Sequence, residues 1–199
     1  MDEKVLNGEY WEQRYQNNDT PWDIGYAAPA FINFMEGVDF KSKSILIPGA
    51  GNAYEAKWLI DHGANNVTVV DISQSVIEKL KMQYEGNDVV KFINLDFFNL
   101  QGNYDLIFEQ TFFCALPPNS RPEYVKKMNS LLSSEGTLFG LLFNKVFDKS
   151  GPPFGGDTRE YFELFSSVFK YFEVDYLPIS IPPRINSEIF FKTQNRSIS

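Results

Sequence analysis

Several residue types and patterns are scarce in this sequence, and each shortage excludes a class of protein. The chain has one cysteine, so no internal disulfide can form and the cytoplasm is the expected location. Its first ten residues, MDEKVLNGEY, are acidic and lack the apolar core of a signal peptide, and no later apolar run is long enough to span a bilayer. The formal net charge is −8, with no block rich in Lys or Arg. We therefore expect neither a nucleic-acid partner nor a membrane partner.

Apolar and aromatic residues, by contrast, are plentiful. Hydrophobic residues make up 43% of the 199 positions and charged residues 22%, which is typical of one folded domain with a substantial core. Nineteen Phe and ten Tyr are more than a core of this size requires. Such an excess of rings suits a site that stacks a base or encloses a cation.

The stretch SILIPGAGNAYE, residues 44–55, is the first indication of a ligand site. Its apolar beginning is typical of a strand that is covered on both faces in a parallel sheet. Gly49 and Gly51 would let the backbone approach a ligand closely, and a helical pattern follows from Ala53. The free N–H groups of that helix would favour a negatively charged ligand group, although a Gly-x-Gly turn is often only a turn.

A second buried-strand pattern, VTVVDIS, ends in Asp71, about 20 residues after the glycine loop. A carboxylate at this place accepts hydrogen bonds from two ribose hydroxyls and repels a phosphate, so the pair indicates an adenosine-type ligand. The dinucleotide fingerprint requires a small residue where this chain has Tyr54, which argues against a dehydrogenase. A glycine loop followed by an acid at the next strand end is the pattern of class I methyltransferases, which bind S-adenosylmethionine.

Three large rings near the N-terminus are further candidates. Trp11 and Tyr15 lie one turn apart on a helix predicted within residues 1–18, and Trp22 follows the break after it, so the rings are expected to converge. They either fix an N-terminal helix to the body of the protein or form a lid whose rings face a sulfonium cation. Spacing alone leaves both interpretations open.

Two later segments are expected at the carboxyl edge of the sheet, where open parallel sheets bind ligands. Asp96 could accept a hydrogen bond from an adenine amino group with Phe97 beside the ring, or it could cap the next turn. The turn-rich, aromatic segment 144–157 is expected to overhang this edge.

The order of elements predicts the fold class. Strands are predicted at 44–47, 67–71, 89–95, 104–108, 136–143, 171–177 and 187–192. Five β/α units followed by two strands indicate an α/β, Rossmann-like fold with a seven-stranded, mostly parallel sheet and helices on both faces. We expect one domain, comprising an N-terminal lid segment (1–40), a core (41–192) and a frayed tail (193–199).

Several phrases together resemble the thiopurine S-methyltransferase family, including its halide/thiol methyltransferase branch. They are WEQRYQNNDTPWDIG, LIPGAGNAYEA, VTVVDIS, LDFF, EQTFFCALPPNSRPEYVKKMNSLL and GPPFGG. They occur in family order and span about residues 10–192. The resemblance implies a last strand that inserts antiparallel, S-adenosylmethionine as cofactor, S-adenosylhomocysteine as product, and a small thiol or halide as methyl acceptor.

The resemblance also implies a set of site residues. The expected cofactor-binding residues are Trp11, Tyr15, Trp22, Gly49, Gly51, Asp71, Asp96, Phe97 and Gln110. Gly49 would lie against the methionine part of the cofactor, Asp71 against the ribose, and Asp96 and Phe97 beside adenine. The chain departs from the family pattern at Gln110, often Tyr, at Ala53, usually Gly, and in segment 184–188, which is usually more basic.

Methyl transfer from a sulfonium is an in-line displacement, so the protein must mainly align the nucleophile and exclude water. Alignment can supply about 7 to 11 kcal/mol of the barrier, and no catalytic residue is assigned in this chain. No metal site is predicted. Arg121 is favoured as a helix-start residue and Cys114 as an inert core residue. The candidate acceptor-binding residues are Phe113, Arg159 and Arg184.

The sequence therefore predicts an S-adenosylmethionine-dependent S-methyltransferase, a monomer or weak dimer, that acts on a small thiol. Halide or hydrosulfide is the alternative acceptor. A nicotinamide oxidoreductase is a competing class and would bind NAD instead of S-adenosylmethionine. A non-catalytic module that holds S-adenosylhomocysteine without turnover is another.

Overall fold

The computed structural model describes residues 6–148, 151–176 and 178–195. Its helices are Gly8–Gln16 (α1), Pro29–Met35 (α2), Tyr54–Asp61 (α3), Gln74–Gln83 (α4), Arg121–Leu131 (α5) and Thr158–Ser166 (α6). Its strands are Ser44–Pro48 (β1), Asn66–Asp71 (β2), Val90–Asn94 (β3), Tyr104–Gln110 (β4), Leu132–Phe143 (β5), Phe172–Asp175 (β6) and Glu188–Gln194 (β7). Within the described ranges, no helix is long and apolar enough to cross a membrane.

The strands form a seven-stranded sheet in the order β3-β2-β1-β4-β5-β7-β6. The pairs from β3 through β5 are parallel, and β7 is antiparallel to both β5 and β6. The predicted Rossmann-like sheet and its antiparallel last strand are confirmed. The strand order reverses between β1 and β4, which is where open α/β sheets bind ligands.

Apolar cores cover both faces of the sheet. Along β1, Ile45 and Ile47 belong to the core that contains residues of α2, α3 and α4, whereas Leu46 belongs to the core that contains residues of α5 and α6. Successive residues of a strand point to opposite faces. Helices therefore flank the sheet on both sides, as predicted.

Capping side chains determine where several helices begin. Asn7 precedes α1 and accepts a hydrogen bond from the backbone N–H of Tyr10 at 3.0 Å. Asp157 precedes α6 and accepts from two backbone N–H groups. These side chains satisfy N–H groups that the first turn of a helix leaves free. Helix α1 lies within the predicted helix 1–18, of which residues 1–5 are outside the described ranges.

One connection and the start of one strand differ from the prediction. The segment between β3 and β4 contains a 3₁₀ turn, Phe97–Asn99, and no α-helix, because few residues separate these strands. Strand β5 begins at Leu132 and not at Gly136; its pairing with β4 shifts register between Tyr104 and Leu106. Gly136 permits this shift, because a Cβ there would lie 2.8 Å from the carbonyl oxygen of Tyr104.

The frayed tail was predicted to begin at residue 193, which is too early. Strand β7 continues through Gln194, and the side-chain amide of Asn195 donates to the carbonyl oxygens of Leu132 and Ser133 at 2.9 Å each. These long-range hydrogen bonds order the chain through Asn195. Residues 196–199 are outside the described ranges.

Candidate active site

The carboxyl ends of β1, β2, β3 and β4 border a cavity of about 680 Å³, a size typical of small-molecule sites. All nine residues predicted to bind the cofactor line it: Trp11, Tyr15, Trp22, Gly49, Gly51, Asp71, Asp96, Phe97 and Gln110. They come from the N-terminal segment and from the carboxyl ends of four strands, β1 to β4. The fold therefore gathers residues that are about 100 positions apart in sequence at the edge where a parallel sheet binds its ligands.

The glycine loop after β1 has a left-handed backbone at alternate positions. The φ angles of Gly49, Gly51 and Ala53 are 59°, 51° and 53°. A Cβ at Gly49 would lie 2.5 Å from Cδ2 of Phe112, and one at Gly51 would lie 2.9 Å from Oη of Tyr15. Both glycines are therefore required by rings of the protein itself, a constraint that the sequence pattern did not reveal.

Asp71 ties the end of β2 to the glycine loop. Its Oδ2 accepts a hydrogen bond from the backbone N–H of Gly51 at 3.0 Å, and its Oδ1 accepts from that of Ser73 at 2.9 Å. Burial raises the pKa of this carboxyl, and the backbone hydrogen bonds oppose that rise. The side chain thus lines the cavity and also holds the loop in shape.

The carboxylate of Asp23 joins the segment after α1 to the start of α3. Its Oδ2 accepts hydrogen bonds from Nδ2 of Asn52 at 2.5 Å and from the hydroxyl of Tyr54 at 3.3 Å. Asp23 also lines the cavity. The sequence interpretation used the neighbouring Trp22 and missed this acid, although both lie in the same TPWD phrase.

The three N-terminal rings converge as the spacing predicted. Trp22 makes edge contacts with Trp11 and Tyr15, at centroid separations of 5.5 and 5.7 Å. The guanidinium of Arg14 lies 4.8 Å from the Trp22 ring centroid. Such contacts fix the orientation of the rings at the cavity.

Helix α1 is attached to the body of the protein through Glu12. Its Oε2 accepts hydrogen bonds from the Ser73 hydroxyl at 2.7 Å and from the backbone N–H of Ser75 at 3.2 Å. Partial burial favours a higher pKa for Glu12, but its hydrogen bonds outweigh this effect and the pKa is lowered. The carboxylate lies at the N-terminus of α4, where the helix dipole favours a negative charge.

The residues after β3 and β4 line the cavity in different ways. Oδ1 of Asp96 accepts from the backbone N–H of Phe98 at 3.0 Å, so this acid caps the 3₁₀ turn, one of its two predicted roles. Phe97 is buried with its ring against that of Phe112. At the end of β4, the buried Oε1 of Gln110 accepts no hydrogen bond from any described residue. Such an oxygen is available to a donor group of a ligand.

Of the three predicted acceptor-binding residues, Arg184 reaches the cavity. It is buried and forms an ion pair with Glu188, Nη1 to Oε1 at 3.3 Å. Its Nη2 also donates to the carbonyl oxygen of Trp22.

The placements of Phe113 and Arg159 were wrong. Phe113 is 1% exposed and packs in the core against Tyr124 and Tyr161, because the 3₁₀ turn after β4 directs it away from the cavity. Its neighbour Phe112 lines the cavity instead. Arg159 lies on the exposed face of α6, where its side chain is 90% exposed and pairs with Glu163.

The two residues predicted to have structural roles agree with the prediction. Arg121 is the first residue of α5, is buried, and pairs with Glu160 at 2.6 Å. Cys114 is buried, and burial raises the pKa of its thiol far above the ordinary value. Its thiol is therefore protonated at neutral pH and unsuited to act as a nucleophile, even though the residue borders the cavity.

The described part of segment 144–157 borders the cavity, as expected of an overhanging loop. Lys145, Phe147, Pro152 and Pro153 contribute to its lining. Carboxyl groups and cations share the same surface: Asp23, Glu55, Asp71, Asp96, Arg14, Lys145 and Arg184. The cavity can thus receive a ligand that carries charges of both signs as well as an aromatic base.

Comparisons with known proteins agree with this geometry. The family model for thiopurine S-methyltransferase matches residues 6–189. Thiocyanate methyltransferase 1 of Brassica oleracea is 30% identical over 184 residues, covering 89% of this chain and 81% of the relative. Thiopurine S-methyltransferase of Acinetobacter baylyi is 23% identical, covering 82% and 86%.

Among solved structures, the Burkholderia thailandensis 1,6-didemethyltoxoflavin-N1-methyltransferase has a similar fold. It superposes with a TM-score of 0.76 at 17% sequence identity, covering 95% of this chain and 87% of the other. That structure contains 1,6-didemethyltoxoflavin and S-adenosylhomocysteine.

Proposed function

Because the chain belongs to the thiopurine S-methyltransferase family, we propose that it transfers the methyl group of S-adenosylmethionine to the sulfur atom of a small acceptor, a thiol or a thiocyanate-like anion. It is a methyltransferase that acts on small substrates. The observation that carries the proposal is the convergence of nine predicted cofactor residues on one cavity. Family membership supports the reaction class, and the cavity supports the place where the reaction occurs.

The cavity residues fit the chemical groups of S-adenosylmethionine. When bound, this cofactor supplies an electrophilic methyl group on a positively charged sulfur. Trp11, Tyr15 and Trp22 present rings that suit such a cation. Asp71 suits the ribose hydroxyls, and Oε1 of Gln110, which no described residue donates to, suits an N–H donor.

The N-terminal segment 1–40, described from residue 6, would act as the lid of this site. Glu12 attaches α1 to the start of α4, and Tyr15 lies against Gly51 of the glycine loop. Both contacts support a position of the rings over the bound cofactor. A lid of this kind excludes water from an in-line displacement.

Within the same cavity, Arg184 would hold the acceptor. A guanidinium favours an anionic thiolate or thiocyanate and lowers the pKa of a nearby thiol. Phe143 lies beside it, Phe147 packs against Phe143, and both rings would shield the reacting atoms from water. Alignment and charge would therefore replace a dedicated catalytic base.

A panel assay with labelled methyl donor tests the function. Thiocyanate, hydrosulfide, a thiopurine and iodide are compared at equal concentration, and calorimetry measures the binding of S-adenosylmethionine and NAD. We expect tight S-adenosylmethionine binding and transfer to a sulfur acceptor. Faster transfer to iodide than to every sulfur acceptor would favour the halide branch.

Two other outcomes would overturn the proposal. Tight NAD binding without S-adenosylmethionine binding would indicate an oxidoreductase. Tight S-adenosylhomocysteine binding without transfer to any acceptor would indicate a binding module. The cytoplasmic location, the monomeric or weakly dimeric state and the division into lid and core stay predictions from the sequence.

A further inference from the structure

A strained residue lies at the point where β4 enters the cavity. Thr111 has a φ of 59°, in the left-handed region that β-branched residues rarely adopt. It follows Gln110, the last residue of β4, and lines the cavity together with Phe112. Strain of this kind persists only where surrounding contacts enforce it.

The contact that enforces this turn is the buried carboxylate of Glu109. Its Oε1 accepts a hydrogen bond from the backbone N–H of Phe112 at 3.1 Å, and its Oε2 accepts from that of Phe113 at 2.9 Å. The Tyr124 hydroxyl also donates to Oε2, at 2.8 Å. Two consecutive N–H groups after the left-handed residue thus converge on one anion, which is the geometry of a backbone anion nest.

The turn determines which ring faces the cavity. It directs Phe113 into the core and places Phe112 against the glycine loop, where Gly49 has no Cβ to obstruct the ring. Phe97 contacts the Phe112 ring edge-on, at a centroid separation of 5.1 Å. The position of Phe112 therefore sets the shape of the cavity beside the glycine loop.

We propose that Glu109 is a positioning residue for methyl transfer: its carboxylate holds the Thr111 turn, and the turn holds the Phe112 ring against Gly49 at the edge of the cavity. The role rests on the proposed function, since it concerns the geometry of that same site. A fully buried charge is costly to retain. An apolar or amide side chain would fill the space without the desolvation cost, but neither could accept from all three donors as an ionised carboxylate does.

The protonation state of Glu109 provides a specific readout. Burial raises its pKa to about 7, and the hydrogen bonds from Tyr124 and the two backbone N–H groups oppose the rise. In the described part of the chain, the titratable side chain that donates to it is Tyr124 of α5. Burial raises the pKa of Tyr124 and of Cys114, and the negative charge of Glu109 raises both further. At pH 8 the carboxylate is ionised and accepts from all three donors. At pH 6 it is protonated and one of its oxygens becomes a donor.

The test compares Glu109→Gln with the wild type at pH 6 and pH 8, using kcat/KM with labelled methyl donor. The ratio of the two proteins cancels the ionisation of the acceptor. At pH 8 we expect the variant to lose about 10-fold or more, as expected for one charge-assisted hydrogen bond. At pH 6 the two proteins should differ by no more than about 3-fold, because the wild type then also carries a neutral side chain. A ratio of wild-type to variant kcat/KM that is the same at pH 6 and pH 8 would overturn the proposal. Glu163→Gln, on the exposed face of α6, is the matched control.

A second variant separates positioning from packing. In Thr111→Gly the left-handed turn no longer needs to be enforced, so the glycine should restore much of the activity that Glu109→Gln loses at pH 8. A loss that stays unchanged in the Glu109→Gln/Thr111→Gly double variant would overturn the proposal. Failure of the proposed function would be seen separately, as a wild type that transfers no methyl group.

If the wild type transfers no methyl group, wild type and Glu109→Gln are compared by their affinity for S-adenosylhomocysteine. Equal affinities of the two proteins at pH 8 would overturn the role of Glu109.

Discussion

Nη2 of Arg184 donates a hydrogen bond to the backbone carbonyl oxygen of Trp22, at 3.0 Å, across 162 positions of sequence. It joins the 3₁₀ turn before β7 to the segment between α1 and α2 that carries the Trp22 ring. The same guanidinium pairs with the buried Glu188. The residue proposed to hold the acceptor is therefore also bonded to the segment proposed to cover the cofactor.

We expect Arg184→Met to raise the KM for an anionic acceptor about 10-fold or more, because the cation that favours the anion is lost. It should also lower the free energy of unfolding, by up to about 3–5 kcal/mol, since Glu188 is left buried without its partner. Steady-state kinetics and urea unfolding measure the two effects.

The double variant Arg184→Met/Glu188→Gln is the control. It removes the unpaired acid and should recover stability without recovering KM. A KM that returns to the wild-type value in the double variant would contradict the role of Arg184 in acceptor binding.

Replacing Trp22 by alanine should weaken S-adenosylmethionine binding about 30-fold, since a desolvated cation–π contact is worth about 2 kcal/mol. Trp22→Phe keeps a ring and should lose less. Trp58→Ala is a useful contrast: Trp58 packs against Phe31 and His62, away from the cavity residues. It should lose stability and retain affinity, as measured by calorimetry and thermal unfolding. Equal affinity of Trp22→Ala and the wild type would remove these rings from the site.

Asp71→Asn keeps the shape of the side chain and removes its charge. We expect the dissociation constant of S-adenosylmethionine to rise about 10-fold or more, because one carboxylate acceptor for the ribose and for the Gly51 N–H is lost. Asp105→Asn is the matched control. Asp105 also accepts from a backbone N–H, that of Ser44, but lies at the amino end of β1, away from the cavity. Calorimetry on both variants should separate them, and similar losses in the two would sink the ribose assignment.

Gly49→Ala should destabilise the protein by more than Gly86→Ala. Both glycines have positive φ, 59° and 79°, so each substitution carries the cost of a left-handed alanine, about 1 kcal/mol. Among the described residues, no atom lies within 4 Å of a Cβ at Gly86, whereas a Cβ at Gly49 would collide with the Phe112 ring. Urea unfolding should show about 1–3 kcal/mol of additional loss at Gly49. Equal losses would show that the ring moves aside freely.

The free energy of unfolding should decrease as pH rises from about 4.5 to about 7, in part through Glu109. Its folded pKa of about 7 is above its ordinary value of 4.5, so between these values the folded state binds more protons than the unfolded state. The contribution of Glu109 to the free energy of unfolding therefore falls by about 1.4 kcal/mol per pH unit, which is about 3 kcal/mol across this range.

Urea unfolding between pH 4.5 and 8 measures this slope. Burial also raises the pKa of Glu55, Asp71 and Glu188, so they contribute in the same direction. Glu109→Gln should reduce the slope without abolishing it. An identical slope in the variant would show that Glu109 does not titrate in this range.

Much of the site could be predicted because its signals are local. The glycine loop, Asp71 and the two rings one turn apart each follow from spacing within one element and its neighbour. Asp23 and Glu109 were missed for a different reason. Each is a single acid in an otherwise apolar or turn-like phrase, and its importance comes from donors on other elements, such as Asn52 for Asp23 and Tyr124 for Glu109.

The sequence by itself determined the succession of strands and helices, the parallel sheet and the edge at which a ligand binds, because hydrophobic periodicity and turn residues act over short distances. The tertiary structure decided which of Phe112 and Phe113 faces the cavity and which of Arg159 and Arg184 reaches it. Those choices depend on a left-handed turn at Thr111 and on contacts such as that between Arg184 and Trp22. Periodicity has no meaning within a turn, so only the elements packed around it can set the direction of its side chains.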